Sequence, residues 1–348
     1  MPDKERPRVS VIIPCREEEL FIGRCLESVL SGDYPHDRLE ILVVDGMSTD
    51  RSRQIIAQYG SRYPCIRLVE NPRRITPCAF NLGVREAAGD IVMFMGAHAT
   101  YSQNYISKIV GWLETTDADN VGGVLVTLPA DDSPMAQAIA CALSHPFGVG
   151  DSRFRIGTRE PRWVDQVGFS NYRRTVFDRI GLFDEELVRN QDGEFNSRLR
   201  RNGGRVLLVP DVTAYYYARR TVRQVARMFF QYGYFKPLVA RKIGRVMTLR
   251  QLAPPALVLG LAASGLASVW LPAAAYAFLA IAGSYLAAVL ACAGMASLKH
   301  GMGVGVRLAA IFPTLHFSYG IGFLKRSLEL ALRPARRARQ AASLPLSR

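Results

Sequence analysis

Past Asp211 the sequence almost stops using acidic side chains: 18 Lys/Arg share that stretch with one carboxylate, Glu329. The residues up to Asp211 carry 26 Lys/Arg against 29 Asp/Glu, so the net charge of +14 belongs to the last third of the 348-residue chain. A merely solvated basic face accounts for the charge but not for the missing acids. The basic residues flank and punctuate long apolar runs, and few aromatics are arranged as a stacking platform, which argues against a nucleic-acid partner. Attraction to anionic membrane lipid fits better. Cysteine is scarce and unpaired in pattern: Cys15, Cys25, Cys65, Cys78, Cys141 and Cys292 form no CxxC and no zinc-like spacing, so reduced, mostly buried thiols are expected. The opening MPDKERPR is charged and precedes only a short apolar run, which argues against a cleaved signal peptide, so the first region is expected in the cytoplasm.

What is present is apolar content, 49%, enough for a buried core and membrane segments together. From Val9 onward short apolar runs alternate with helical ones: VSVIIP, FIGRCLESVL, LEILVVDG, RSRQIIAQYG, IRLVE, CAFNLGVREAA, DIVMFMG. This βαβα rhythm predicts an α/β domain with a mostly parallel sheet. Ligands on such sheets sit beyond the carboxyl ends of the strands, where Pro14, Asp45 and Gly96 fall. Further strands are predicted in VGGVLVTLP and RVLLVPDV, and a helical pattern over 184–202.

The organisation expected is an α/β domain over 1–212, with halves at about 8–120 and 121–212, followed by a basic amphipathic segment at 213–250. The latter has the composition of a helix lying among headgroups, or packing on the α/β domain, or both. Helices of a membrane region are expected over 251–330, and a basic tail without fixed structure over 331–348. Leu252–Trp270 and Pro272–Ser297 read as a hairpin across a roughly 30 Å hydrocarbon core. A third segment, 308–324, is interrupted by Pro313, His316 and Gly320. The hairpin returns the chain near Lys299 and Arg307, as the positive-inside rule prefers, whereas a third crossing would leave Arg333, Arg336, Arg337 and Arg339 outside. The third segment is therefore read as membrane-embedded, with its crossing left open.

The run VSVIIPCREEELFIGRCLESVL followed by LEILVVDGMSTDRS resembles glycosyltransferase family 2, whose first strand ends in Pro and whose second ends in an Asp within a DxSxD-like turn. The resemblance implies the GT-A fold, Rossmann-like, with a nucleotide-sugar donor held by Pro14, Glu18, Asp45 and Ser48. Physically, an Asp at a strand end accepts hydrogen bonds from a base and a ribose; capping of the next helix is the plain alternative. Three glutamates at a helix start also suit the macrodipole without any ligand. Of Arg73 and Arg74, the resemblance favours Arg74 as a diphosphate contact.

Where the family places carboxylates that hold a divalent cation, this sequence has Gly96-Ala97-His98. Relatives of the succinoglycan and exopolysaccharide type carry DAHA there, so His98 matches the last position and Gly96 replaces the Asp. Imidazole can ligate Mn²⁺ or hydrogen-bond a phosphate, while Mg²⁺ prefers oxygen, so His98 is the metal candidate and cation dependence is in doubt.

The stretch WVDQVGFSNYRRTVFDRIGLFDEELVRNQDGEFNSRLRRNGGRVLLVPD resembles the family's acceptor half, with Gln191-Asp192 opening a helix. Asp192 matches the catalytic base, which the helix dipole would keep ionised; a simple N-cap is the alternative, and Glu194 the substitute carboxylate in another register. Gly168 to Asn171 either shape the acceptor pocket or form a plain loop. The YYYAR run ending at Arg219, with QVARM and QYGYFK after it, offers Arg219, Arg227 and Lys236 as contacts, with Gln191, for acceptor or pyrophosphate. The resemblance implies an inverting hexosyltransferase, membrane-attached with its catalytic domain on the cytoplasmic side of the inner membrane. A polyprenyl-linked acceptor in exopolysaccharide or cell-surface glycan synthesis follows from it. A processive synthase lacks support in the few membrane segments and the missing Trp of QxxRW; a catalytically silent scaffold is the rival that Gly96 suggests.

Overall fold

The computed structural model describes residues 5–245 and 248–332. In chain order the described residues form β1 (Val9–Cys15), α1 (Ile22–Leu30), β2 (Leu39–Asp45), α2 (Ser52–Arg62), β3 (Ile66–Glu70), α3 (Thr76–Glu86), β4 (Ile91–Phe94), β5 (Ala99–Tyr101), α4 (Tyr105–Thr115) and β6 (Asn120–Leu128). There follow α5 (Pro134–Ser144), α6 (Pro146–Val149), α7 (Arg153–Ile156), β7 (Arg162–Trp163), β8 (Asn171–Arg173), α8 (Thr175–Ile180), α9 (Gln191–Arg201) and β9 (Val206–Tyr217). The last helices are α10 (Val222–Ile243), α11 (Ala253–Ala267), α12 (Pro272–His300) and α13 (Met302–Leu332).

The nine strands make one sheet in the order β3-β2-β1-β4-β8-β6-β9-β5, with β7 on β9. It is parallel from β3 to β4, where the sequence alternates strand and helix, and antiparallel where β8 joins β4 and β6 and where β5 and β7 join β9. The mostly parallel expectation thus describes the first half, and the whole sheet is mixed. β1 lies between two parallel partners and is buried almost throughout, which is why VSVIIPC reads as a continuous apolar run. β3, at the edge, is mostly exposed after Ile66 and carries Arg67 and Glu70, charges that blunt its open side. α1 buries Ile22, Cys25, Leu26 and Val29, one stripe at helical spacing.

The chain divides into two compact units, 1–126 with 153–216, and 127–152 with 217–348. Residues 127–152 therefore group with the C-terminal helices, and β9 runs past 212. The helical pattern expected over 184–202 is helix only from Gln191, because 184–190 form turns ending in the left-handed Asn190.

In the second unit α5, α10, α12 and α13 share a core of Ile139, Leu143, Val225, Met228, Leu308, Ile311 and Phe312 among others. α10 is a single helix that opens on a Thr221–Gln224 capping box and buries its apolar face, Val225 to Ile243, within this unit. Gly233 and Gly322 let its backbone meet that of α13, since a Cβ on Gly233 would run into the Tyr319 carbonyl and one on Gly322 into that of Phe230. Buried Arg326 on α13 donates to the Tyr234 hydroxyl at 3.2 Å and pairs at 3.1 Å with Glu329, the lone acid of this third. The face of 213–250 expected among headgroups is thus occupied by protein.

Among the described residues one helix, α12, is long and apolar enough to cross a membrane, and it is scarcely buried: Tyr276, Leu279, Leu286 and Leu290 are exposed. Its 29 residues span about 43 Å at the α-helical rise. The first arm expected at 252–270 is shorter as folded: α11 has 15 residues, about 22 Å, less than a hydrocarbon core. α13 extends well beyond 308–324 on both sides. Arg333, Arg336, Arg337 and Arg339 lie outside the described residues.

Candidate functional site

β1 and β2 pair in register, Pro14 opposite Val44 and Cys15 opposite Asp45, so the loops after them leave the sheet side by side. Asp45 is fully buried. Its Oδ2 accepts from the Ser48 amide at 3.0 Å and the Arg53 guanidinium at 3.2 Å, and its Oδ1 from the Ser48 hydroxyl at 2.5 Å. The loops are stitched together: the amides of Glu17, Glu18 and Glu19 donate to Ser48 Oγ, Ser52 Oγ and Asp50 Oδ2 at 2.9, 2.8 and 3.1 Å. Thr49 and Arg51 amides return the pattern to the Glu17 and Glu19 carboxylates at 3.0 and 3.1 Å. Burial alone would raise the Asp50 carboxyl, yet donors from Ser52, side chain and backbone, and from the Glu19 amide hold it below its ordinary value. Neither Asp45 nor Ser48 caps α2, whose N-cap is Arg51.

Backbone strain marks the same places. Among the described residues the non-glycine residues with φ in the left-handed region are Glu17, Met47, Arg74 and Asn190, at 54°, 59°, 60° and 60°. Each is an expected site residue or the chain neighbour of one, Glu18, Ser48, Arg74 and Gln191. Such conformations cost about 1–3 kcal/mol and persist where the surroundings impose them.

At the end of β4 the Gly96 amide donates to the Tyr101 hydroxyl at 2.7 Å, and its carbonyl accepts from the Cys25 thiol at 3.5 Å. Burial pushes that thiol well up, so it stays protonated. A Cβ on Gly96 would lie 3.0 and 3.1 Å from the Cε1 and Cζ of Phe169, so the space a carboxylate would need is filled by an aromatic ring. Two expected residues do meet: His98 Nδ1 lies 3.2 Å from Glu18 Oε1, both side chains largely buried. The imidazole also lies edge-on to Tyr216, centroids 5.2 Å apart, and the Arg155 guanidinium sits 5.4 Å from the same ring centroid.

These residues do not fit a cation held by paired carboxylates. No group of three His, Cys, Asp or Glu side chains able to hold a metal occurs among the described residues, and Glu18 with His98 makes a pair rather than such a group.

Asp192 stands in the first turn of α9, and its Oδ2 accepts a 2.5 Å hydrogen bond from the Gln166 amide. Gln166, within WVDQVGFSNY, was given no role by sequence reasoning; only the fold brings it 26 positions along to Asp192. Glu194, the substitute carboxylate, is buried and forked by Arg198, Nε and Nη2 each donating at 2.9 Å, with Arg198 also bound to the Leu182 carbonyl at 2.8 Å. It is a structural pair facing away from solvent. Gln191 Oε1 is buried with no partner among the described residues.

Ser170 and Asn171 belong to a buried network rather than a pocket: Asn120 donates to Ser170 Oγ and to Asn196 Oδ1, and Asn171 donates to the Val121 carbonyl. The basic run beside them is also spent on the fold. Arg173 donates to the Leu113 carbonyl at the end of α4 and Arg174 to that of Ala87 after α3, cations at helix carboxyl ends. Arg73 pairs with Glu185 at 2.5 Å, while Arg74 is exposed and has no carboxylate within ion-pair distance among the described residues. Arg219, Arg227 and Lys236 lie in the second unit, the last two on α10 with Arg227 exposed.

The family model described as glycosyl transferase family 2 matches residues 10–181, the span that carries the strand-end loops, Gly96 and His98. A succinoglycan biosynthesis protein, ExoA of Rhizobium meliloti, is 27% identical over 335 residues, 93% of this chain and 96% of the relative. Residues 10–181 form a glycosyltransferase family 2 domain. Another family relative, a dolichyl N-acetyl-alpha-D-glucosaminyl phosphate 3-beta-D-2,3-diacetamido-2,3-dideoxy-beta-D-glucuronosyltransferase of Methanococcus voltae, is 29% identical and covers 67% of this glycosyltransferase and 74% of its own length. Among solved structures, a mannosyltransferase of Pyrobaculum calidifontis in complex with GDP-Man and Mn²⁺ superposes with a TM-score of 0.59 at 22% identity, covering 92% of this chain and 88% of the other. TarS of Staphylococcus aureus in complex with UDP-GlcNAc gives 0.51 at 16%, covering 92% of both. The fold is GT-A, and the chain is an enzyme of the glycosyltransferase class.

Proposed function

We propose that the enzyme moves a sugar from a nucleotide sugar to the hydroxyl of a polyprenyl-linked saccharide, with inversion at the anomeric carbon, in exopolysaccharide or cell-surface glycan synthesis. The observation that carries this reading is Asp192, fixed by Gln166 at the start of α9 in the same unit as the stitched Asp45–Ser48 and Glu18–His98 cradle. Asp45, Ser48, Glu18 and Pro14 line the strand ends where the nucleoside binds, and His98 and Arg74 face the diphosphate. Asp192 takes the proton of the acceptor hydroxyl as its oxygen attacks the anomeric carbon. The bond from that carbon to the diphosphate oxygen breaks on the opposite side, and one displacement inverts the centre.

The names of the relatives support a lipid-linked acceptor, and the nucleotides in the related structures make UDP and GDP sugars the first donors to test. The exposed apolar length of α12 and the basic bias after Asp211 support attachment to the inner membrane with the α/β unit in the cytoplasm. Arg219, Arg227 and Lys236 are the residues offered to the acceptor's pyrophosphate.

The test is transfer from labelled UDP and GDP sugars to isoprenoid-linked acceptors by the full chain in membranes, with mass analysis of the lipid product. Labelled lipid that disappears with Asp192→Asn is expected. A wild-type chain that transfers from no nucleotide sugar is the silent scaffold, and transfer unchanged in Asp192→Asn removes the base.

A further inference from the structure

We propose that Arg155, seated on Tyr216 beside His98, is a binding residue for the donor's diphosphate and supplies there the positive charge that a cation supplies elsewhere. The proposal rests on the nucleotide-sugar reading above. Three observations lead to it. The carboxylate position at the end of β4 is Gly96, and Phe169 fills the room its side chain would take. Glu18 faces His98 at 3.2 Å. The described residues therefore offer no paired carboxylates to a metal here, while the leaving diphosphate still gains charge as the glycosidic bond breaks and needs fixed positive groups.

The third observation supplies such a group. β5 pairs with β9, Ala99 opposite Tyr216, which sets the Tyr216 ring next to His98. The Arg155 guanidinium lies within 5.4 Å of that ring and 5.6 Å of its own neighbour, Phe154. Phe154 in turn packs on the core and reaches within 3.0 Å of where a Cβ on Gly168 would be, beside the segment holding Gln166 and Phe169. Arg155 is half-buried and positioned by packing, not swung out on a loop. The planar guanidinium of an arginine matches two phosphate oxygens at once; a lysine gives charge without that geometry.

The experiment is calorimetric titration of the detergent-solubilised full chain with inorganic pyrophosphate, and separately with UDP and GDP, in chelator and then with Mn²⁺. The wild type is expected to bind in chelator, with affinity changed less than about threefold by Mn²⁺. Arg155→Ala is expected to weaken binding at least tenfold and Arg155→Lys to restore part of it. Tyr216→Leu, which removes the seat, should match Arg155→Ala, and Tyr216→Phe, which keeps the ring, should bind as wild type. Should Arg155→Ala fail to fold, the Tyr216 pair decides. Binding that requires Mn²⁺, or an Arg155→Ala chain that melts lower yet binds as wild type, overturns the proposal. Binding of none of the probes under either condition overturns the donor reading itself.

Discussion

Gln166 holds Asp192: the side-chain amide of one donates to a carboxylate oxygen of the other across 2.5 Å, joining the loop after β7 to the first turn of α9. Among the described residues Gln166 is the side-chain donor to this carboxylate, and the proposed role leaves the other oxygen for a substrate proton. Asp192→Asn is expected to lower turnover by about 10²–10⁴-fold, the range of a lost general base. Gln166→Leu is expected to cost about tenfold, near the worth of one hydrogen bond to a charged group. Both should leave donor affinity unchanged. Steady-state kinetics with donor varied check this, and a Gln166→Leu chain with full turnover would show the bond to be incidental.

Phe169 filling the space at Gly96 makes a packing prediction. Gly96→Asp is expected to destabilise the α/β unit by about 1–3 kcal/mol through overpacking. Phe169→Ala destabilises by opening a cavity, and the two together should cost less than their sum, because each relieves the other. Urea unfolding followed by fluorescence of Trp112 and Trp163, both in that unit, measures the cycle. Strictly additive losses would place the added side chain elsewhere.

Glu194 and Asp192 sit two residues apart and separate cleanly by test. Glu194 is buried under Arg198, so Glu194→Ala leaves the guanidinium with carbonyl partners but no carboxylate and is expected to cost about 3 kcal/mol of stability. Turnover of the folded fraction should stay near wild type. A stable Glu194→Ala chain with turnover reduced a hundredfold would instead exchange the roles of the two acids.

How far the sequence was readable depends on whether the signal is local. Central parallel strands announce themselves, since burial on both faces writes VSVIIPC and LEILVVD as near-continuous apolar runs, broken only by Ser10 and Glu40 before Pro14 and Asp45 mark their ends. The four strained residues beside site positions need φ angles, which no composition reveals. Arg173 and Arg174 read as a charged patch, yet each finds a helix carboxyl end that is distant in sequence. Gln166 carries no local signature at all, because its meaning is its partner. For 252–270, hydropathy counts apolar residues whether or not they are wound into the helix, so the turn at 268–271 was absorbed into a span that α11 alone does not fill.

Glu185 gives the pH prediction. Its carboxylate accepts from Asn81 at 2.9 Å, and that bond, with burial opposing it and Cys78, Arg73 and Arg85 assisting, holds it below the ordinary glutamate value of 4.5. The folded state therefore gives up this proton more readily than the unfolded chain, which binds more protons as pH falls. The stabilisation is fully present above 4.5, shrinks as pH drops below it, and is gone once pH passes the depressed folded value. Glu185→Gln keeps the size of the side chain but removes the charge that Arg73 pairs with. The urea midpoint of this variant should lie below that of wild type at neutral pH, and the gap should close in acid. A gap of constant size from pH 7 to below 4.5 would assign the stabilisation to packing rather than to the ionised carboxylate.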